Sequence, residues 1–139
     1  MIFRGEFAFL SNFAPCRIKV NGLCFTSVEA AFQSFKTLDP NVRAKFQYMS
    51  PGQAKAAGRK IKNLRSDWND IRLELMLALV SIKFRNHPEY AERLVQIQDP
   101  IVEDNGWGDT FWGVYKGKGE NHLGKILMTV RDELNNPPF

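Results

Sequence analysis

Apolar residues recur along this chain at one interval before Ser27 and at another after it. Up to residue 26 the chain reads as strand. Phe3, Phe7 and Phe9 lead into a polar break at Ser11-Asn12. Arg17-Ile18-Lys19-Val20 and Leu23-Cys24-Phe25-Thr26 then alternate around Asn21-Gly22, the signature of a hairpin on a type I′ turn. From Ser27 onward the interval becomes helical. Ser27 is the expected N-cap of a first helix running to about Leu38. Asp39-Pro40 restarts a helix, with Asp as cap and Pro in the first turn. Ser50-Pro51-Gly52-Gln53 repeats the device with capping-box spacing and opens a third helix to about Lys60. Asp67 is expected to cap the longest helix, residues 68–86. That helix is apolar on two sides: Trp68, Ile71, Leu75, Leu79 and Ile82 on one, Leu73, Leu77, Val80 and Phe84 on the other. Such a helix belongs in the middle of a fold. His87-Pro88 ends it, a short helix follows to about Val95, and residues 101–103 read as a short strand. A last helix covers about 122–135, stopped by Asn136-Pro137-Pro138. The expected fold class is α+β, a mostly helical single domain over 1–139 with a small N-terminal antiparallel sheet.

The first helix also carries chemistry. At about 100° per residue, Glu29, Gln33 and Lys36 fall on one stripe beside a core-facing stripe of Val28, Ala31, Phe32 and Phe35. A carboxylate, an amide and an amine on the border of an apolar face are placed for partial burial, which moves acids and amines towards useful pKa values. The alternative is a Glu–Lys pair on a solvated helix face.

Composition narrows the setting. With 139 residues, 44% of them apolar and eleven Phe, the chain has core material enough to fold without disulfides or metal. No run approaches the ~18 apolar residues of a membrane span, and Met1-Ile2-Phe3-Arg4 does not resemble a signal peptide. The hairpin register puts Cys16 and Cys24 on opposite faces, so they are not expected to bond. Two free thiols fit a reducing, cytoplasmic setting. His87 and His122 lie far apart and no Cys cluster exists, so no metal is expected. Gly117 and Gly119 lack the further glycine of a dinucleotide fingerprint, because His122 stands there, and no cofactor is expected. The net charge of +4 favours anionic ligands.

Residues 103–124 change character. Six of the ten glycines lie within 106–124, beside Trp107, Phe111, Trp112 and Tyr115. Aromatic rings next to glycines make a wall for a flat ligand. The segment leads into a helix N-terminus with Lys116 and Lys118 nearby, where free N–H groups attract phosphate. The alternative is a twisted hairpin with aromatic packing. A further basic run, Lys55, Arg59, Lys60, Lys62 and Arg65, contains no acid. It is either a solvated face or a phosphate or nucleic-acid footprint, and it lacks interleaved aromatics. Lys55, Arg59 and Lys62 would share a helix face only if the third helix extended that far.

Together these pieces resemble the NADAR, or YbiA-like, superfamily. The matching elements are Leu10-Ser11-Asn12-Phe13, Ser27-x-Glu29-x-x-Phe32-Gln33-x-x-Lys36, Gly58-Arg59, Trp68 and Lys83-Phe84, followed by Trp107-Gly108-Asp109, Trp112-Gly113, Gly119-x-Asn121-x-x-Gly124 and 128–131. The resemblance implies a metal-independent N-glycosidase cleaving the bond between ribose and an amine or base. Its substrate would be a phosphorylated ribosylaminopyrimidine of riboflavin synthesis or, alternatively, ADP-ribose attached to guanine, free or in nucleic acid. It implies Glu29, Trp68 and Asp109 as active-site members and Lys36 as a candidate Schiff-base lysine. Bond cleavage builds oxocarbenium character at the sugar, and the leaving amine needs a proton. Glu29 is expected as the acid and Asp109 as the second carboxylate, or the reverse. Asn12, Gln33, Arg59 and Asn121 are candidate hydrogen-bonding groups, Trp68, Trp107 and Trp112 candidate walls, and Lys118 a candidate phosphate contact. The expected cleft lies between the first helix and the 103–124 loop. The rival reading is a non-catalytic ADP-ribose or nucleotide-binding module.

Overall fold

A computed structural model of the protein describes residues 1–136. It is mostly helical with one two-stranded antiparallel sheet. The chain divides into two compact units, Asn12–Lys83 and Met1–Ser11 together with the chain from Phe84 onward.

In the first unit, β1 (Ile18–Val20) pairs with β2 (Leu23–Phe25) in the expected register, Ile18 with Phe25, Lys19 with Cys24 and Val20 with Leu23. Asn21 and Gly22 both take positive φ (51° and 78°), as a type I′ turn requires. Cys16 and Cys24 are free thiols. Helix α1 (Val28–Ser34) starts where Ser27 accepts a hydrogen bond from the Ala30 amide, and all of its residues are buried. It stops short of Leu38. Two arginines take its terminal carbonyls: Arg43 donates to Ser34 (3.3 Å) and Thr37 (2.6 Å), and Arg65 donates to Phe35 (3.4 Å). Those carbonyls therefore do not need another helical turn. Helix α2 (Pro40–Lys45) is capped by Asp39, and α3 (Pro51–Arg59) by the complete Ser50/Gln53 capping box.

Helix α3 ends at Arg59, so Lys62 lies off the helix and the basic run does not form one face. Helix α4 (Trp68–Asn86) has the expected span, but the carboxylate of Asp67 is held by Arg65 (2.6 and 3.1 Å), and only the Asp67 carbonyl accepts from the first turn, from the amides of Asp70 and Ile71. Trp68, Met76, Leu79, Val80, Lys83 and Phe84 are buried along it, whereas Leu73 is exposed. The second apolar stripe is thus only partly a core face.

In the other unit, the expected N-terminal strand is a 3-10 helix, Gly5–Leu10. Its Phe9 packs against Phe84 and Tyr90 (ring centroids 6.4 and 6.2 Å apart), with the Arg93 guanidinium over its face. Phe3 precedes that helix, and Phe9 and Leu10 are its buried residues. Helices α5 (Pro88–Gln96) and α6 (His122–Asn135) follow the expected spans. The anticipated stop at Pro137-Pro138 lies outside the described residues. Residues 101–103 form no strand, and pairing there is limited to isolated bridges of Asp104 with Ile2 and Val114. The Asn121 amide takes the groups a neighbouring strand would have used. It donates to the Ile101 carbonyl and accepts from the Glu103 amide, both at 2.9 Å.

Candidate active site

Helix α1 carries the chemical group within Asn12–Lys83. Its Ser27 cap fixes the phase of the helix, and Glu29 and Gln33 each end up 7% exposed. The Glu29 backbone amide donates to the Asn12 carbonyl (3.1 Å), and the Asn12 side chain reaches the Met76 sulfur at 3.6 Å. Gln33 Nε2 donates to Glu29 Oε1 at 3.2 Å. Gln33 Oε1 is buried and has no hydrogen-bond partner among the described residues. It rests on Gly58 of α3, where a Cβ would stand 1.8 Å from it. Glycine at 58 therefore sets how closely α3 approaches the amide that holds Glu29. Sequence reading quoted Gly58 only as a motif residue, and no local signal reveals its partner.

Lys36, half-buried, places Nζ 5.8 Å from the centre of the Trp68 ring, and that ring packs on Phe32 at 4.9 Å. Trp68 is 7% exposed, so it serves mainly as core and offers little open wall. Arg59 is exposed. Burial pushes the Glu29 carboxyl above its ordinary pKa against the Gln33 hydrogen bond and the charges of Lys55, Lys36 and Arg59. Burial also lowers Lys36, opposed by Glu29 and assisted by Arg59. Desolvation thus favours the neutral form of both groups, whereas their mutual attraction favours the charged forms.

The other sequence-derived candidates share one loop. Asp109 Oδ1 accepts the backbone amides of Phe111 (3.0 Å) and Trp112 (2.9 Å). Asn105, which sequence reading passed over, accepts from the amides of Trp107 and Asp109 and donates to the carbonyls of Asp109 and Val114. Its one sequence signal was a turn-forming Asn before glycine. Trp107 is 59% exposed and is the loop's open indole. Trp112 instead packs edge-on to Phe111 (4.9 Å), which lies 4.5 Å from His122.

Two expectations for this loop change. Asn121 is buried and spends its amide on Ile101 and Glu103, so it is a scaffold residue. The α6 N-terminus is not an open phosphate cradle, because the His122 and Leu123 amides donate to the carbonyls of Phe111 and Trp112 (3.2 and 2.9 Å). Lys116 and Lys118 remain exposed.

A family model of the NADAR domain matches residues 2–135. The chain belongs to the NADAR family. Among its NADAR relatives, a riboflavin biosynthesis protein of Vibrio vulnificus is 38% identical over 129 residues, a match covering 91% of this chain and 35% of that protein. An N-glycosidase of Nostoc punctiforme is 34% identical, with 91% of this chain and 85% of that protein covered. The N-glycosidase YbiA of Escherichia coli is 33% identical, with 93% and 82% covered. The chain therefore spans about a third of the Vibrio relative and over four-fifths of the two N-glycosidases. The NADAR fold here is similar to the NMR structure of E. coli YbiA, with TM-score 0.85 and 32% identity over 97% of this chain and 84% of that one. No group of three or more His, Cys, Asp or Glu among the described residues is placed to hold a metal ion. No described helix is long and apolar enough to cross a membrane.

Proposed function

We propose that this NADAR protein is an N-glycosidase that hydrolyses the bond between ribose and nitrogen in a phosphorylated N-riboside. The riboflavin-intermediate type is the leading substrate class. The observation that carries the reading is the buried Glu29 carboxyl, held by Gln33 and pushed by burial towards its protonated form. The names of the relatives, N-glycosidase and riboflavin biosynthesis protein, support it.

As the C–N bond lengthens, positive charge grows at the anomeric carbon and electrons collect on the departing nitrogen. A protonated Glu29 delivers the proton that lets the amine leave, and water then adds to the sugar. The resulting carboxylate, buried beside Lys36, stabilises the cation in a site of low polarity. Lys36 in its ammonium form binds a sugar hydroxyl or phosphate; as a free amine it attacks the opened sugar and forms an imine. Asp109 acts as a positioning residue, because its carboxylate shapes the turn that carries Trp112 and follows Trp107. Arg59, exposed on the unit that carries Glu29, supplies positive charge for the phosphate.

The test offers the purified protein a ribosylaminopyrimidine phosphate and, separately, ADP-ribosyl-guanine, and measures released base. Glu29→Gln is expected to lower kcat by roughly a hundredfold or more while substrate affinity changes little. Unchanged kcat would remove Glu29 from the reaction. Failure of the parent protein to release base from either compound, with binding retained, would favour a nucleotide-binding module. Borohydride trapping of a sugar adduct that disappears in Lys36→Ala would select the imine route.

A further inference from the structure

A cleft of about 350 Å³ opens within Asn12–Lys83, and none of Asn12, Glu29, Gln33, Lys36 or Trp68 lines it. Its volume lies in the range of sites for small organic ligands, about 300–1,000 Å³. The floor is apolar, built from Val42, Phe46, Met49 and Ile61. Lys45, Lys60 and Lys62 also line it, at the end of α2, the end of α3 and in the segment after α3. None of these ammonium groups forms an ion pair among the described residues. Asp39, the one carboxylate in the lining, already uses Oδ1 to cap α2 through the Asn41 and Val42 amides (2.9 and 3.5 Å).

Leu38, Tyr48 and Leu64, all exposed, are immediate chain neighbours of lining residues Thr37, Met49 and Asn63. Tyr48 is 86% exposed.

We infer that this cleft binds a small phosphate ester carrying an apolar or aromatic body, separately from the Glu29 group. Lysines are point-charge phosphate binders, and several unpaired ones around one site favour a multiply charged anion. The phosphate lies among Lys45, Lys60 and Lys62, and the organic body covers the floor, removing Val42, Met49 and Ile61 from water. Inorganic phosphate would leave that floor wet, and an uncharged nucleoside would leave the ammonium groups unmatched. The last turn of α3 is a shared wall. It turns Gly58 towards Gln33 and lines the cleft with Ala57, while the following Lys60 lies at the cleft.

The test titrates the 15N-labelled full chain with adenosine monophosphate, adenosine and inorganic phosphate as probes at constant ionic strength. Adenosine monophosphate is expected to shift the backbone amides of residues 42–49 and 60–63 saturably, and to bind more tightly than either other probe. The double variant Lys60→Glu/Lys62→Glu is expected to weaken that binding roughly tenfold or more. Lys45→Gln should weaken it by a smaller factor at the same amides. Shifts absent from the cleft, or confined to Asn12, Glu29, Lys36 and Trp68, would overturn the inference. So would equal affinity for inorganic phosphate, or an affinity for single-stranded oligonucleotides that grows with length and falls steeply with salt, which marks a polyanion track. Because the readout is binding, it is independent of whether Glu29 turns substrate over.

Discussion

At Glu29, burial works against charge, and that opposition reaches beyond catalysis. Burial raises its folded pKa above the ordinary carboxylate value, against Gln33 and the nearby cations. The folded chain therefore holds this proton more tightly than the unfolded chain does. The group's stabilising contribution is complete below the unfolded pKa of about 4.3 and is lost as pH rises through the folded value. Glu29→Gln cannot ionise, so it should be more stable than the parent near neutral pH, with the difference closing in acid. Urea unfolding at about pH 4 and about pH 7.5 checks this, and a difference that ignores pH would mean that burial is not the cause. The stripe of Glu29, Gln33 and Lys36 was legible in the sequence because three and four residues along a helix always bring side chains to one face. The lone carbonyl of Gln33 on Gly58 was not legible, since its partner comes from a different helix.

Single residues propagate into elements through the close approach of α1 and α3. Gly58→Ala would place a methyl against the Gln33 amide and push it off Glu29. Alanine improves helix propensity by about 1 kcal/mol, while overpacking costs about 1–3 kcal/mol. The expected outcome is a small net loss of stability with a disproportionate change in the pH dependence of kcat. An unchanged pH profile would show that Gln33 does not hold the acid. In the 103–124 loop the element depends on Asn121. Asn121→Ala strands the Glu103 amide and the Ile101 carbonyl inside the protein and should cost about 2–4 kcal/mol, read as a fall in Tm. A substrate-binding role alone would leave Tm in place. The caps of α1, α2 and α3 and the hairpin register were readable because each is set by residues within a few positions of one another. The early end of α1 was not, because Arg43 and Arg65 terminate it from outside the helix.

For the whole molecule, the buried Lys83 controls an alkaline response. It is 1% exposed, and burial pushes its pKa down to about 8, with Cys16 opposing. The folded chain thus releases this proton before the unfolded chain, whose lysine titrates at about 10.4. The group's contribution to stability is least favourable below the folded value and improves as pH climbs through that interval. Lys83→Met should flatten this improvement, measured as the change in urea midpoint between about pH 7 and about pH 9.5, whatever its fixed offset. An unaltered slope would assign the alkaline response to another group. Sequence alone established the mostly helical α+β class, the caps of α1, α2 and α3, the hairpin and the NADAR motifs, because these depend on spacing and on near neighbours. It misread Gly5–Leu10, 101–103, Asn121 and the N-terminus of α6, and it missed the lysine-lined cleft. For all but Gly5–Leu10, the deciding partner is remote along the chain. Burial and hydrogen bonding are satisfied in space, so a side chain's final task depends on what the fold brings beside it.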